Sequence, residues 1–131
     1  MELDDIFATI ADQDRGRWMD IIDPWEGQPT GVRLLVAGPD SDVQRRARIA
    51  LMDGLAEAAG ADGTVSFADR EAARIDSLAR CVLGWEVPPE EDGRQAPFGH
   101  RAVVRLLKVP WVQEQADAFA GNRRAFRPGG R

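Results

Sequence analysis

His100 is the only histidine in the chain, so any Ser-His-Asp or Cys-His arrangement would have to use it, with Ser41, Ser66, Ser77 or Cys81 as the nucleophile. None of these four stands in a nucleophile-elbow context. Ser41 opens SDVQ and Ser66 precedes Asp69 by three positions, which are helix-capping patterns. Cys81 reads as a small apolar residue on a buried helix face. We therefore assign no catalytic residue, and a small enzyme resting on His100 and Cys81 is the weakest of the alternatives. The stretch Asp62-Gly63-Thr64-Val65-Ser66-Phe67 resembles the second half of a calcium loop. Its first half fails, because Ala58 and Gly60 occupy the places of acidic ligands and Asp69 is too short for bidentate ligation. No metal and no cofactor is expected: a single cysteine builds neither a disulfide nor a thiolate cluster, and no glycine-rich phosphate loop occurs.

The remaining chemistry is that of contact. Trp18, Trp85 and Phe119 read as core, whereas Trp25, Trp111 and Phe126 fall in a loop, at a helix start and in a basic tail, where aromatic residues often meet partners. The acids Glu86, Glu90, Glu91 and Asp92 sit among prolines in a solvated loop. Arg45, Arg46 and Arg48 form a basic patch without interleaved aromatics, a thin signal for nucleic acid.

At 131 residues the chain makes one domain, with 44% hydrophobic and 30% charged residues, a globular composition. The net charge of −5 is uneven, since Arg123, Arg124, Arg127 and Arg131 all lie at the C-terminal end. The rest carries 13 basic residues against 22 acidic ones, which argues against nucleic acid as the main partner. No apolar run is long enough for a membrane span, and the acidic MELDDIF differs from a signal peptide, so a cytoplasmic location is expected.

Leu3, Ile6, Phe7 and Ile10 follow i, i+3, i+4, i+7, predicting a short amphipathic helix. Two apolar runs within Arg17 to Val36, separated by PWEGQPT, predict a hairpin with a long loop. The SDVQ box predicts a helix from Val43 with the stripe Ala47, Ala50, Leu51, Gly54, Leu55 and Ala58, the Gln44 side chain reaching back to the cap. A second helix, capped by Ser66, carries Ala72, Ile75, Leu78, Ala79 and Val82 and ends at Gly84 before Trp85. After a loop to Pro97, two helical patterns meet at Pro110. The first carries Ala102, Val103, Leu106 and Leu107, the second Trp111, Val112, Gln115, Ala116 and Phe119; Gly121 and Asn122 stop it. These elements predict an α+β fold, an N-terminal hairpin packed with four to five α-helices over residues 1–122, followed by a basic flexible tail over 123–131.

The ordered set WMDIIDPWEGQPTGVRLLVAGPDSDVQRRAR, LARCVLGWE, DGRQAPF and LLKVPWVQEQADAFAGNRRAF resembles the tail assembly chaperones of long-tailed bacteriophages and related prophages. The likeness runs from Trp18 to Phe126. It departs at Gly99, where the family more often has a capping serine, and at Ala125, where an asparagine often precedes the last aromatic. The resemblance implies a non-enzymatic protein of the host cytoplasm, absent from the finished virion. It would bind the long, helical, aggregation-prone tape measure protein before the tail tube polymerises around it. A frameshifted longer form and the tail tube protein are further implied partners, and self-association into a homo-oligomer is plausible from the apolar stripes. If the family mode holds, the binding face includes Trp85, Phe98, Leu106, Leu107, Trp111, Val112, Phe119 and Phe126. A structural virion component, such as a tail-completion or connector subunit, is the alternative.

Overall fold

The computed structural model describes residues 1–129; Gly130 and Arg131, the end of the expected tail, lie outside the described residues. The described residues form α1 (Leu3–Asp14), β1 (Arg17–Ile22), β2 (Pro29–Val36), α2 (Asp42–Ala58), α3 (Phe67–Arg80), β3 (Val82–Glu86), α4 (His100–Leu107), α5 (Pro110–Ala120) and a 3-10 turn (Arg123–Phe126). The fold is α+β: an antiparallel sheet of order β1-β2-β3 packed with five helices, its first two strands the expected hairpin.

Strand alternation decides which hairpin residues reach the core. In β1, Met19 and Ile21 turn inward while Trp18 and Asp20 turn out. Trp18 is therefore a surface residue rather than a core one, lying under the Arg33 guanidinium at 5.0 Å. Arg33 faces Asp20 across one side of β2 and Glu86 across the other, and ion pairs of 3.3 and 3.1 Å tie the outer face of all three strands.

The third strand corrects the expectation that the second long helix carries Val82 and runs on to Gly84. α3 ends at Arg80 with Cys81 as its cap, and the chain enters β3 at once, so Val82 belongs to the sheet. Val82 pairs with Val36, Gly84 with Leu35 and Trp85 with Leu34, with a bulge between. A five-residue strand holding a glycine, directly behind a helix, gives little periodicity to read.

The core joins the inner face of the hairpin (Met19, Ile21, Leu34, Val36) to Ile75 and Leu78 of α3, Val103 and Leu107 of α4, and Val112, Ala116 and Ala120 of α5. Pro110 occupies the first turn of α5 with extended Val109 before it, so the break between α4 and α5 follows proline's own geometry. Phe126 closes the core at 1% exposure, its ring 5.3 Å from Phe119. The expected flexible tail is thus ordered structure as far as the 3-10 turn. Asn122 caps that turn by accepting from the Arg124 N–H at 3.2 Å.

Two amides tie distant segments. Ser41 caps α2 as expected, accepting from Gln44 N–H at 3.1 Å. The Gln44 side chain does not complete the box. It donates to the carbonyls of Ala37 and Ala120, both at 2.8 Å, joining the end of β2 to the end of α5. Gln13 accepts from Asp40 N–H at 2.7 Å, and its own carbonyl accepts from Gly38, so the last turn of α1 is moored to the β2–α2 connection. Gly16, at φ +80°, makes the turn into β1; a Cβ there would stand 2.9 Å from the Val36 carbonyl oxygen. Arg17, nearly buried, donates to Asp12 at 2.8 Å and to the Arg127 carbonyl at 3.3 Å, while its Nε has no partner.

Candidate partner-binding surface

The eight residues expected to form one binding face divide by depth. Leu107, Val112 and Phe126 lie in the core at 0, 2 and 1% exposure, so they hold the fold and present nothing to a partner. This corrects the expected face. The reason is helical phase: Val103 and Leu107 share the inner side of α4, and Val112 and Ala116 that of α5. Trp85, Leu106, Trp111 and Phe119 are half-buried against the core, and Phe98 is exposed.

The aromatic residues among these fall into two groups. In the first, Trp85 donates its indole N–H to the Ala96 carbonyl at 3.3 Å and meets Phe98 edge-on at 5.9 Å. A hollow lined by Trp85, Glu86, Val87, Gln95, Ala96 and Phe98 lies there, between β3 and the proline-rich loop.

The second group is longer. Trp111, Gln115 and Phe119 recur at i, i+4 and i+8 and make one stripe of α5. This stripe runs beside the edge strand β1. At its start the Trp25 ring, on the hairpin loop and 78% exposed, meets Trp111 edge-on at 5.7 Å. In its middle Gln115 pairs with both backbone groups of Ile22. At its far end a shallow cleft is lined by Trp18, Met19, Asp20, Gln115, Ala118, Phe119 and Asn122. The result is a seam with Trp25 and Trp111 at one end and Trp18 and Phe119 at the other. Trp111 and Phe119 were expected in the face and Trp25 as a loop contact residue; Trp18, expected in the core, joins them because the hairpin brings β1 and its loop alongside α5.

The residues tested for catalysis stand in ordinary structural roles. His100 Nε2 and Asp76 Oδ1 are 2.7 Å apart on the surface. Partial burial raises the Asp76 carboxyl, yet hydrogen bonds from Arg80 and His100 outweigh it and hold the group below the usual carboxylate range. The adjacent Ser77 hydroxyl donates to the Ala47 carbonyl at 3.2 Å, bridging α3 to α2. Burial pushes the Cys81 thiol up to about 11. In the Asp62 turn the carboxylate accepts from the Thr64 backbone and hydroxyl at 3.1 and 2.7 Å, and Ser66 caps α3 by accepting from Asp69 N–H. Among the described residues no three His, Cys, Asp or Glu side chains converge as a metal site, and no helix is long and apolar enough to cross a membrane.

No family model matches the chain, and no curated protein or solved structure is significantly similar to it.

Proposed function

We propose that this chain is a non-enzymatic tail assembly chaperone of a long-tailed bacteriophage or prophage, binding the tape measure protein in the host cytoplasm and keeping it soluble until the tail tube polymerises around it. The ordered resemblance from Trp18 to Phe126 motivates the reading. The observation that carries it is the aromatic seam along α5 and β1, with Trp25, Trp111, Trp18 and Phe119 partly open to solvent. Such a surface suits the apolar face of an amphipathic helix, since aromatic residues supply much of the energy at contact surfaces and cover surface that would otherwise aggregate. On this reading the protein leaves the assembly before the virion is complete, and a frameshifted longer form and the tail tube protein are further partners.

The test is co-expression with the long coiled-coil-rich protein encoded downstream, followed by affinity purification and light scattering. A soluble complex, formed where the long protein alone is insoluble, is the expected result. The double variant Trp25→Ala with Trp111→Ala should lose that complex while its circular dichroism stays unchanged. If this chain elutes alone, or is recovered from purified particles as a stoichiometric component, the chaperone reading is overturned.

A further inference from the structure

Helix α1 is moored through its last turn, and among the described residues its apolar stripe is left uncovered. Leu3, Ile6, Phe7 and Ile10 are 68, 48, 66 and 48% exposed, although they share one helix face. The opposite side of α1, with Asp5, Ala8 and Asp12, turns toward Pro128. Glu2 caps α1 and Asp4 and Asp5 lie in its first turn, so the helix offers an apolar ridge with an acidic tip.

Elsewhere α2 and α3 diverge around a groove whose floor is Leu51, Leu55, Ala56, Ala59 and Val65 and whose wall carries Arg70 and Arg74. Phe67 and Met52, on the same two helices, are 83 and 68% exposed. Phe67 precedes Arg70 and Arg74 on one face of α3, and Met52 lies one turn before Ala56 on α2. The acids of this part of α2, Asp53 and Glu57, fall on the far side of the helix by the same periodicity.

We infer that the α2–α3 groove receives helix α1 of a second copy of this chain. The match is one of shape class and of charge. The apolar ridge of α1 meets an apolar floor, and the acids Glu2 and Asp4 at its tip meet Arg70 on the groove wall, where Arg74 also donates to Gln113 at 2.6 Å. The contact is heterologous, because the two surfaces lie on different parts of the molecule. It therefore propagates from copy to copy until a ring closes or an open chain grows. This inference is independent of the phage reading, since it concerns the purified chain alone.

The experiment is light scattering of the full chain across a dilution series, with two variants whose changes fall on exposed positions. Ile6→Asp with Phe7→Asp disables the ridge, and Arg70→Glu with Phe67→Ser disables the groove. The wild type should show a mass above that of the monomer that falls on dilution, and each variant alone should be monomeric with unchanged circular dichroism. Mixed one to one, the two variants should form a two-chain species that grows no further, because only one intact ridge and one intact groove remain. A wild type that stays monomeric at millimolar concentration overturns the inference. So does a groove variant that associates as the wild type does, which would mean that α1 pairs with α1, and so does a mixture that remains monomeric. As a separate check on the charge match, Asp4→Lys alone should weaken association at least several-fold, and an unchanged dissociation constant would count against the acidic tip.

Discussion

Gln115 serves Ile22 as a neighbouring strand would. Its side-chain oxygen accepts from the Ile22 N–H at 2.8 Å and its NH₂ donates to the Ile22 carbonyl at 2.7 Å, so an amide on α5 closes the open edge of β1. Both partners are half-buried, and losing the amide strands a donor and an acceptor away from water. Gln115→Ala should therefore cost about 1–3 kcal/mol in urea unfolding. Gln115→Glu, which keeps the acceptor and loses the donor, should cost nearly as much above the carboxylate range. A neutral effect of both would mean that the edge is held by packing alone.

Phe126 was expected among contact residues and lies instead in the core. Phe126→Ala should destabilise the fold by about 3–5 kcal/mol through a cavity beside Phe119. Trp25→Ala, at an exposed position, should leave the unfolding midpoint nearly unchanged. Equal effects from both would contradict the placement of the 3-10 turn.

Asp40 receives two hydrogen bonds of 2.7 Å from the Arg123 guanidinium, a fork that fastens the 3-10 turn to the start of α2. Arg123 holds the Asp40 carboxyl below its ordinary value; partial burial opposes this and Gln13 adds to it. A carboxyl lowered on folding stabilises the native state above its unfolded pKa of about 4 and ceases to do so as pH falls through the folded value. The stability gap between wild type and Asp40→Asn should thus be full at neutral pH and narrow below about pH 4. Urea midpoints at several pH values test this, and a gap that widens in acid would reverse the assignment.

Cys81 is buried, and burial raises its thiol to about 11. Since the thiolate is the reacting form, iodoacetamide at pH 8 should label the native chain far more slowly than the urea-unfolded chain. Equal rates would place the sulfur at the surface.

Local signals made much of this fold legible. Ser41 and Ser66 announced their helices by capping, Pro110 announced the break before α5, and the two apolar runs around PWEGQPT announced the hairpin. What stayed hidden depends on distant chain. The stripe of α1 shows which face is apolar, not whether anything covers it. Gln44 looked like half of a capping box because its true acceptors, Ala37 and Ala120, lie 7 and 76 residues away. Phe126 follows a helix stop and sits among arginines, so composition suggested a tail, although Asn122 two positions before Arg124 carried a cap signal. At the candidate seam, helical spacing put Trp111 and Phe119 on one stripe and a loop position marked Trp25 as a contact residue, while Trp18, read as core, joined only through the packing of β1 against α5.

Arg17 reaches the carbonyl of Arg127 across 110 positions, and Ile22 reaches Gln115 across 93. A growing chain on the ribosome makes its hairpin early and the segment that completes it last. Through most of translation, then, the Ile22 edge and the Arg17 guanidinium wait without these partners, and the place of Phe126 in the core stays vacant. These contacts of high sequence separation can form only once residues 115 to 127 are made, so the completion of the β1 edge and of the core beside Phe119 couples the early hairpin to late chain.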